Sequence, residues 1–172
     1  TLPRKVKQEF EDIVKARGGK VKLLEGYGLT EAVTAIMAMP LNEYRENSIG
    51  VPFPDMRAKI VKKDTIEEAE PGQEGEICVE GPAVMMGYLD EPEETAKTIK
   101  KHADGRSWLH TGDIGYVDED GIFYVLNRGA AFRYGGGELA VLPMENRLAD
   151  AKIPGIRDEF FVLIEDEDHD GY

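Results

Sequence analysis

The sequence predicts a mixed α/β (α+β) fold made of three successive parts. The first is the end of a strand–helix layered subdomain, the second a small β-barrel-like subdomain, and the third the beginning of a small α+β C-terminal domain. Three observations lead to this prediction. An amphipathic helical stretch lies near the N-terminus, a strand, glycine loop and helix pattern follows it, and short strands with glycine turns fill the middle of the chain.

The first forty residues predict a helix, a strand and a second helix. Apolar residues of segment 4–17 share one helical face, namely Val6, Phe10, Ile13 and Val14. Gly18 and Gly19 then end this helix. Residues 21–24 form a short apolar strand, residues 25–28 a tight loop, and Thr30 opens a second helix that runs to about residue 40. Proteins of the α/β class tend to place ligand sites at such units.

From residue 48 onward the pattern changes to strands and turns. Strands are predicted at residues 57–62, 76–80 and 122–126, with turns at 72–75 and 116–121 and one helix at 92–101. Strands that follow one another in this way predict a small barrel or sheet beside the strand–helix part.

A domain boundary is predicted where the chain becomes rich in glycine after Arg128. Gly129 and the triplet Gly135, Gly136 and Gly137 follow it within ten residues. We therefore divide the chain into residues 1–127 and 128–172. The second part holds only a predicted helix at 143–149 and a predicted strand at 159–165, which cannot enclose a core of their own. We expect the natural chain to continue beyond residue 172.

The charge balance narrows the range of partners. The chain of 172 residues carries 34 acidic and 21 basic side chains, a net charge of −13. Such a surface repels nucleic acid and anionic membranes. The sequence also holds no apolar run long enough to span a bilayer, so we expect a cytoplasmic protein. The single cysteine, Cys78, is predicted to be a buried structural thiol, because no histidine lies near it in sequence.

The segment Gly26-Tyr27-Gly28-Leu29-Thr30-Glu31 is the first candidate site. Free backbone N–H groups at a helix start suit a phosphate, and the Thr30 hydroxyl adds a donor. Glu31 can hold Mg²⁺, and Tyr27 can lie flat on a base. A capping box without any ligand, with Thr30 as the cap, explains the same six residues equally well.

The second candidate site combines Thr111-Gly112-Asp113 with Arg128. A carboxylate held just after a glycine can accept hydrogen bonds from both hydroxyls of a ribose. Taken alone, these three residues are more often a turn. Arg128 stands at the end of a predicted strand where two domains would meet, although an exposed arginine is usually only a solvated charge.

Together these motifs resemble the family of adenylate-forming enzymes, which includes acyl-CoA synthetases, adenylation domains of peptide synthetases and firefly luciferase. The resemblance covers about residues 21–172, with the motifs in the family's order. They are the Tyr-Gly-x-Thr-Glu motif within 26–31, the Gly-x-Pro segment at 50–52, the Gly-Glu-(Ile/Leu) strand from Gly75, the run at 86–95 and Thr-Gly-Asp at 111–113.

The resemblance implies a role for each candidate residue, with ATP or AMP, Mg²⁺ and coenzyme A as cofactors. Tyr27 would stack on adenine, Thr30 would bind the α-phosphate, and Glu31 would ligate Mg²⁺, which makes Thr30 and Glu31 the catalytic pair. Asp113 and Arg128 would hold the ribose. Gly26 and Gly28 would form the nucleotide loop. Arg128 would also begin a hinge, and Gly137 would face the channel for the CoA thiol.

Two departures from the family pattern bear on activity. Gly129-Ala130-Ala131 stands where the family usually has a basic and then an acidic residue at the hinge. In addition, no Ser/Thr/Gly-rich loop ending in lysine occurs in the sequence, and the family's C-terminal catalytic lysine would lie beyond Tyr172. We therefore expect this fragment alone to be inactive.

The sequence leaves three functions open. The first is part of an acid–CoA ligase that activates a carboxylic acid, fatty or aryl, as acyl-AMP and transfers it to coenzyme A. The second is an adenylation domain that loads a carrier protein. The third is a non-catalytic nucleotide-binding or interaction module. The expected partners are the acid, ATP, CoA and the remainder of the same polypeptide.

Overall fold

A computed structural model describes residues 4–128, 132–134 and 137–139 of the chain. The first helix, α1, spans Arg4–Ala16. It ends as predicted, because the N–H of Gly18 donates to the carbonyl of Lys15 and the N–H of Gly19 to that of Val14, both at 3.0 Å. Gly18 has a φ of +80°, which a residue without Cβ adopts at little cost.

A small antiparallel sheet follows in the order β1-β2-β3. Its strands are β1 at Gly26–Gly28, β2 at Ala35–Ala38 and β3 at Val51–Pro52, and a 3₁₀ helix at Thr30–Ala32 separates the first two. The predicted helix from Thr30 to about residue 40 is therefore wrong, as is the predicted strand at 21–24. Val33, with φ of +69°, ends the 3₁₀ turn, and the chain reverses so that Gly28 pairs with Ala35.

A larger antiparallel sheet forms the body of the molecule. Its strands are β4 at Arg57–Val61, β5 at Gly75–Glu80, β6 at Ile99–Lys101, β7 at Ser107–Val117 and β8 at Phe123–Arg128. The long strand β7 is central, with β5 along one edge and both β6 and β8 along the other. The strands predicted at 57–62, 76–80 and 122–126 are thus confirmed.

The second helix, α2, spans Pro92–Thr98 and is shorter than predicted. Residues 99–101 leave the helix because they pair with the start of β7, where Ile99 faces Leu109 and Lys101 faces Ser107. The hydrogen bonds of a sheet neighbour here replace the last helical turn. Pro92 stands within the first helical turn, where its missing N–H costs nothing.

One apolar core lies between the two sheets. The small sheet contributes Ile36 and Met37, and the larger sheet contributes Ile60, Ile77 and Leu109, all at most 1% exposed. Burial of these side chains is the main force that holds the two sheets together. The mixed α+β class is confirmed, although the layers are antiparallel sheets rather than a strand–helix unit.

The chain beyond Arg128 is described only in part. Strand β9 at Phe132–Tyr134 pairs with β10 at Gly137–Leu139, and Gly137 stands opposite Tyr134. The predicted helix at 143–149, the predicted strand at 159–165 and Gly129, Gly135 and Gly136 lie outside the described residues. The division at residue 128 stays a prediction. None of the described helices has the length and apolar character needed to cross a bilayer.

Candidate nucleotide site

The structure brings Tyr27 and Asp113 together across 86 residues of sequence. The hydroxyl of Tyr27 donates to Oδ2 of Asp113 at 2.6 Å. Tyr27 lies on β1 of the small sheet, and Asp113, which is 3% exposed, lies in the middle of β7 of the larger sheet. A hydrogen bond to a carboxylate is short and strong, so this contact fixes the two sheets relative to each other at this point.

Arg128 lies next to Asp113 because the backbones of their two strands pair. It stands directly opposite Asp113 in the antiparallel pairing of β7 and β8. The two residues predicted to hold a ribose are therefore backbone neighbours in one sheet, and Tyr27 of the Gly26 segment contacts Asp113. Their roles stay predictions, but their positions agree with a single shared site.

The surroundings of Thr30 differ from the prediction. The residue that precedes the 3₁₀ helix as its cap is Leu29, and it makes no side-chain capping bond, so the capping box with Thr30 as cap is wrong. A helix of three residues also lacks the aligned peptide dipoles that favour an anion, so the argument from a helix start fails. Thr30 itself is exposed beside a groove, where its hydroxyl can still act as a donor.

Glu31 is held by a segment that the sequence argument gave no role. The N–H of Met85 donates to the carbonyl oxygen of Glu31 at 2.7 Å, and the hydroxyl of Tyr88 donates to its Oε1 at 2.8 Å. The hydrogen bond to Glu31 raises the pKa of Tyr88. Tyr88 lies in the run at 86–95 that carries the family resemblance, which was the available signal.

Glu31 fits the Mg²⁺ that the family implies. A carboxylate has about four lone-pair positions, so one hydrogen bond from Tyr88 leaves capacity for an ion at Oε2. Mg²⁺ prefers one or two carboxylate oxygens together with water and phosphate oxygens. Tyr88 would then orient the ligand, as partners behind metal-binding side chains do.

A groove of about 460 Å³ runs along residues 26–30 and 33–35. Its volume lies within the range of small-molecule sites, about 300 to 1,000 Å³. Gly28 is required by the fold at this wall, because a Cβ there would lie 1.9 Å from the carbonyl oxygen of Thr34. Val33 projects from the other side of the groove, 76% exposed and with the positive φ that β-branched residues rarely adopt. Such strain is typical of functional sites.

A second cavity, of about 310 Å³, lies next to Thr111 and Gly112. Its polar lining includes Glu31, Glu76 and His110. Glu76 accepts a hydrogen bond from the N–H of Gly112 at 2.9 Å through Oε1, and its Oε2 lies 2.7 Å from Nδ1 of His110. The other ring nitrogen of His110, Nε2, lies 2.9 Å from Nε2 of His102.

Burial and hydrogen bonding act in opposite directions on this chain of groups. Burial alone would raise the pKa of Glu76, but the bonds from His110 and from the Gly112 N–H outweigh it, so the pKa lies below its ordinary value. Burial lowers the pKa of His102, and the nearby Lys59 and His110 lower it further. Glu76 is therefore ionised and His102 neutral near pH 7.

Cys78 is fully buried, which confirms the predicted structural thiol. The supporting argument was wrong, however, because His110 stands directly opposite Cys78 in the sheet. Ligand atoms of Glu76, Cys78 and His110 lie within 4.8 Å of one another. Burial raises the pKa of the Cys78 thiol, which keeps it protonated, and the His110 nitrogen is already bonded to Glu76. We assign no metal to this group.

The fold and the site define a class, the adenylate-forming enzymes, and the comparisons agree. The family profile described as AMP-binding enzyme matches residues 1–89. The chain belongs to this family. A long-chain-fatty-acid–CoA ligase of Bacillus subtilis is 46% identical over 137 residues, which are 79% of this chain and 23% of that protein. A probable 4-coumarate–CoA ligase of Dictyostelium discoideum is 37% identical over 156 residues, which are 86% and 28%.

Solved structures match the fold closely. ATP-bound MatB of Rhodopseudomonas palustris has a TM-score of 0.73 at 29% identity and covers 89% of this chain and 28% of its own. O-succinylbenzoate coenzyme A synthetase of Bacillus subtilis in complex with AMP has a TM-score of 0.72 at 27% identity, over 94% and 32%. The chain thus spans between 23% and 32% of the length of these four proteins.

Proposed function

We propose that this chain is part of an ATP-dependent acid–CoA ligase and supplies two walls of its nucleotide site. The observation that carries the proposal is the hydrogen bond of 2.6 Å between Tyr27 and Asp113 at the side of an open groove. This bond joins the motif of Tyr27 to the motif of Asp113, and one bound nucleotide would have to contact both motifs at the same time. The names of the similar proteins, long-chain-fatty-acid–CoA ligase and 4-coumarate–CoA ligase, support the same reaction class.

The proposed reaction has two steps. The carboxylate of the acid attacks the α-phosphate of ATP, which forms acyl-AMP and releases pyrophosphate. The sulfur of CoA then attacks the acyl carbon, which forms the thioester and releases AMP. Positioning and charge stabilisation supply most of the rate in such phosphoryl-centred reactions.

Each residue of the candidate site has a separate task in this proposal. Asp113, with Arg128 beside it in the sheet, binds the ribose hydroxyls, and Tyr27 packs against the adenine. Thr30 donates to the α-phosphate. Glu31, oriented by Tyr88, would hold Mg²⁺, and the ion would supply positive charge next to the phosphate.

The acid is proposed to be a fatty or aryl carboxylic acid, after the substrates that name the two similar ligases. Met37 and Met39 are 0% and 3% exposed, which supports a role in core packing rather than in contact with an acyl chain. Gly137 is proposed to line the passage of the CoA thiol. The chain holds no lysine-ended phosphate loop, so catalysis is assigned to the complete polypeptide.

The test is ATP–pyrophosphate exchange by the complete polypeptide, across a panel of fatty and aryl acids, with and without CoA. Acid-dependent exchange together with CoA-dependent release of AMP is the expected result. Exchange without any response to CoA would favour a carrier-protein acceptor instead. No exchange with any acid, in a protein that still unfolds cooperatively, would contradict the ligase function.

A further inference from the structure

The residues before Asp113 form a bulge that the rest of the sheet does not explain. Strand β5 pairs Cys78 with His110 and then Glu76 with Ile114. One residue of β5, Ile77, therefore stands against three residues of β7, numbers 111–113. Such an insertion bends the strand and removes ladder hydrogen bonds, so its shape depends on other contacts.

Side chains replace the missing ladder bonds. The hydroxyl of Thr111 donates to the carbonyl oxygen of Ile77 at 2.8 Å, and the N–H of Asp113 donates back to this hydroxyl at 3.1 Å. The N–H of Gly112 donates to Oε1 of Glu76 at 2.9 Å. Gly112 has a φ of +74°, so this bond holds the residue with the widest conformational freedom in the bulge.

The carboxylate of Glu76 is itself fixed in place. Its second oxygen, Oε2, bonds His110 at 2.7 Å, and His110 is 7% exposed and in contact with the buried His102. Because His102 is neutral, the simplest assignment has His110 donate from Nδ1 to Glu76 and accept at Nε2 from His102. Because both carboxylate oxygens of Glu76 are hydrogen-bonded, this charged acceptor can fix the direction of the Gly112 N–H.

We propose that Glu76 is a positioning residue for Asp113: it holds the bulge at Gly112 in the shape that presents the Asp113 carboxylate to the ribose. This inference rests on the proposed function, in which Asp113 binds the ribose. Without an acceptor, the Gly112 N–H loses its partner and the bulge relaxes, because glycine tolerates many other backbone conformations. Asp113 then leaves its place while the core below it stays packed.

The test measures ribose recognition in the complete polypeptide by calorimetry. The probes are AMP and 2′,3′-dideoxy-AMP, which lacks the hydroxyls that Asp113 would bind. The variants are Glu76→Leu, which removes the acceptor, and Glu76→Gln, which keeps one amide oxygen for the Gly112 N–H. The matched control is Glu80→Gln on the same strand, because the Glu80 carboxylate pairs with Arg57 at 2.8 Å and lies apart from the bulge.

Glu76→Leu is expected to weaken AMP binding about 10-fold or more and dideoxy-AMP binding less than about threefold, so that discrimination between them is lost. Glu76→Gln keeps most of the discrimination, and Glu80→Gln keeps all of it. In an Asp113→Ala background Glu76→Leu adds less than about twofold, because it acts through a side chain that is no longer there.

Three results separate failure of this inference from failure of the proposed function. Equal weakening of both nucleotides by Glu76→Leu, or a full effect of it in the Asp113→Ala background, overturns the positioning role. Unchanged AMP binding in Asp113→Ala alone overturns the nucleotide site itself. If Glu76→Leu does not fold, Glu76→Ala with added formate takes its place: formate can enter the cavity beside Gly112 and should restore discrimination, and no restoration overturns the inference.

Discussion

The two walls of the proposed nucleotide site are built in different ways. The wall that carries Thr30 and Glu31 consists of a three-residue strand, a three-residue 3₁₀ helix and a strained reversal at Val33. The wall that carries Asp113 is the central eleven-residue strand of the larger sheet, which pairs with β5 on one edge except at the bulge of residues 111–113, and with β6 and β8 on the other edge. One wall can adjust to a ligand at low cost, whereas the other provides a fixed reference.

This difference fits the parts of a nucleotide that each wall would touch. A ribose keeps one shape through both steps of the proposed reaction, so a buried and rigid carboxylate suits it. The α-phosphate belongs first to ATP, then to acyl-AMP and finally to free AMP. An exposed hydroxyl and a carboxylate on short elements can adjust to these changes more easily. The rigidity of one wall and the adaptability of the other follow from the number of backbone hydrogen bonds that hold each segment.

The largest expected effect tests the close pairing of β1 with β2 in the adjustable wall. Gly28→Ala should lower the free energy of unfolding by about 3 kcal/mol, because the new Cβ would lie 1.9 Å from the carbonyl oxygen of Thr34. Gly26→Ala is the matched control on the same strand, where the nearest atom lies at 3.2 Å. The measurement is the thermal unfolding midpoint of both variants, and equal midpoints would contradict the close pairing of β1 with β2.

The next effect tests the fixed wall. Asp113→Ala should weaken AMP binding by about 1 to 3 kcal/mol, the loss expected when charge-assisted hydrogen bonds go unmade. Asp120→Asn serves as the control, because Asp120 lies in the turn after the same strand and pairs with Arg45 on the surface. Equal affinities in calorimetric titrations of both variants would remove Asp113 from the site.

A smaller effect separates the two walls by their dependence on Mg²⁺. Tyr88→Phe removes the hydroxyl that orients Glu31 and should weaken binding of the Mg²⁺ complex of ATP about fivefold, close to 1 kcal/mol. Binding of AMP without Mg²⁺ should not change. Tyr124→Phe is the control, because its hydroxyl bonds Asp118 instead. A Tyr88→Phe variant that weakens AMP binding as strongly as ATP binding would argue against this division.

The smallest effect concerns the histidines packed beside β7. In the folded protein the pKa of His102 lies below its ordinary value of 6.5, because the ring is buried and Lys59, His110 and Lys100 are close. The unfolded chain therefore binds a proton more readily, and the folded state should lose stability as the pH falls below about 6.5. His102→Gln should show a flatter midpoint between pH 7.5 and 5.5 (about one unit on either side of 6.5), and an unchanged slope would contradict this.

The same contrast explains what the sequence could predict. Strands of the larger sheet follow alternation and glycine turns, which are local signals, and they are found where expected. The helix at Thr30 was wrong because the reversal at Val33 and the pairing of Gly28 with Ala35 are tertiary effects that outweigh local propensity.

The residues of the candidate site could be predicted from the sequence to a similar degree. Tyr27, Glu31 and Asp113 stand in motifs that can be read one residue at a time, and the structure places Tyr27 against Asp113. Glu76 has partners 34 and 36 residues away, so no local pattern could reveal its two bonds. Tyr88 reaches Glu31 across 57 residues for the same reason.

The pairing of Arg128 with Asp113 places the end of β8 next to the residue that is proposed to bind the ribose. Arg128 is the last residue of that strand, and residues 129–131 after it lie outside the described part of the chain. If Asp113 binds the ribose as proposed, a change in the direction of the chain after Arg128 would act on ribose binding through this one backbone pair.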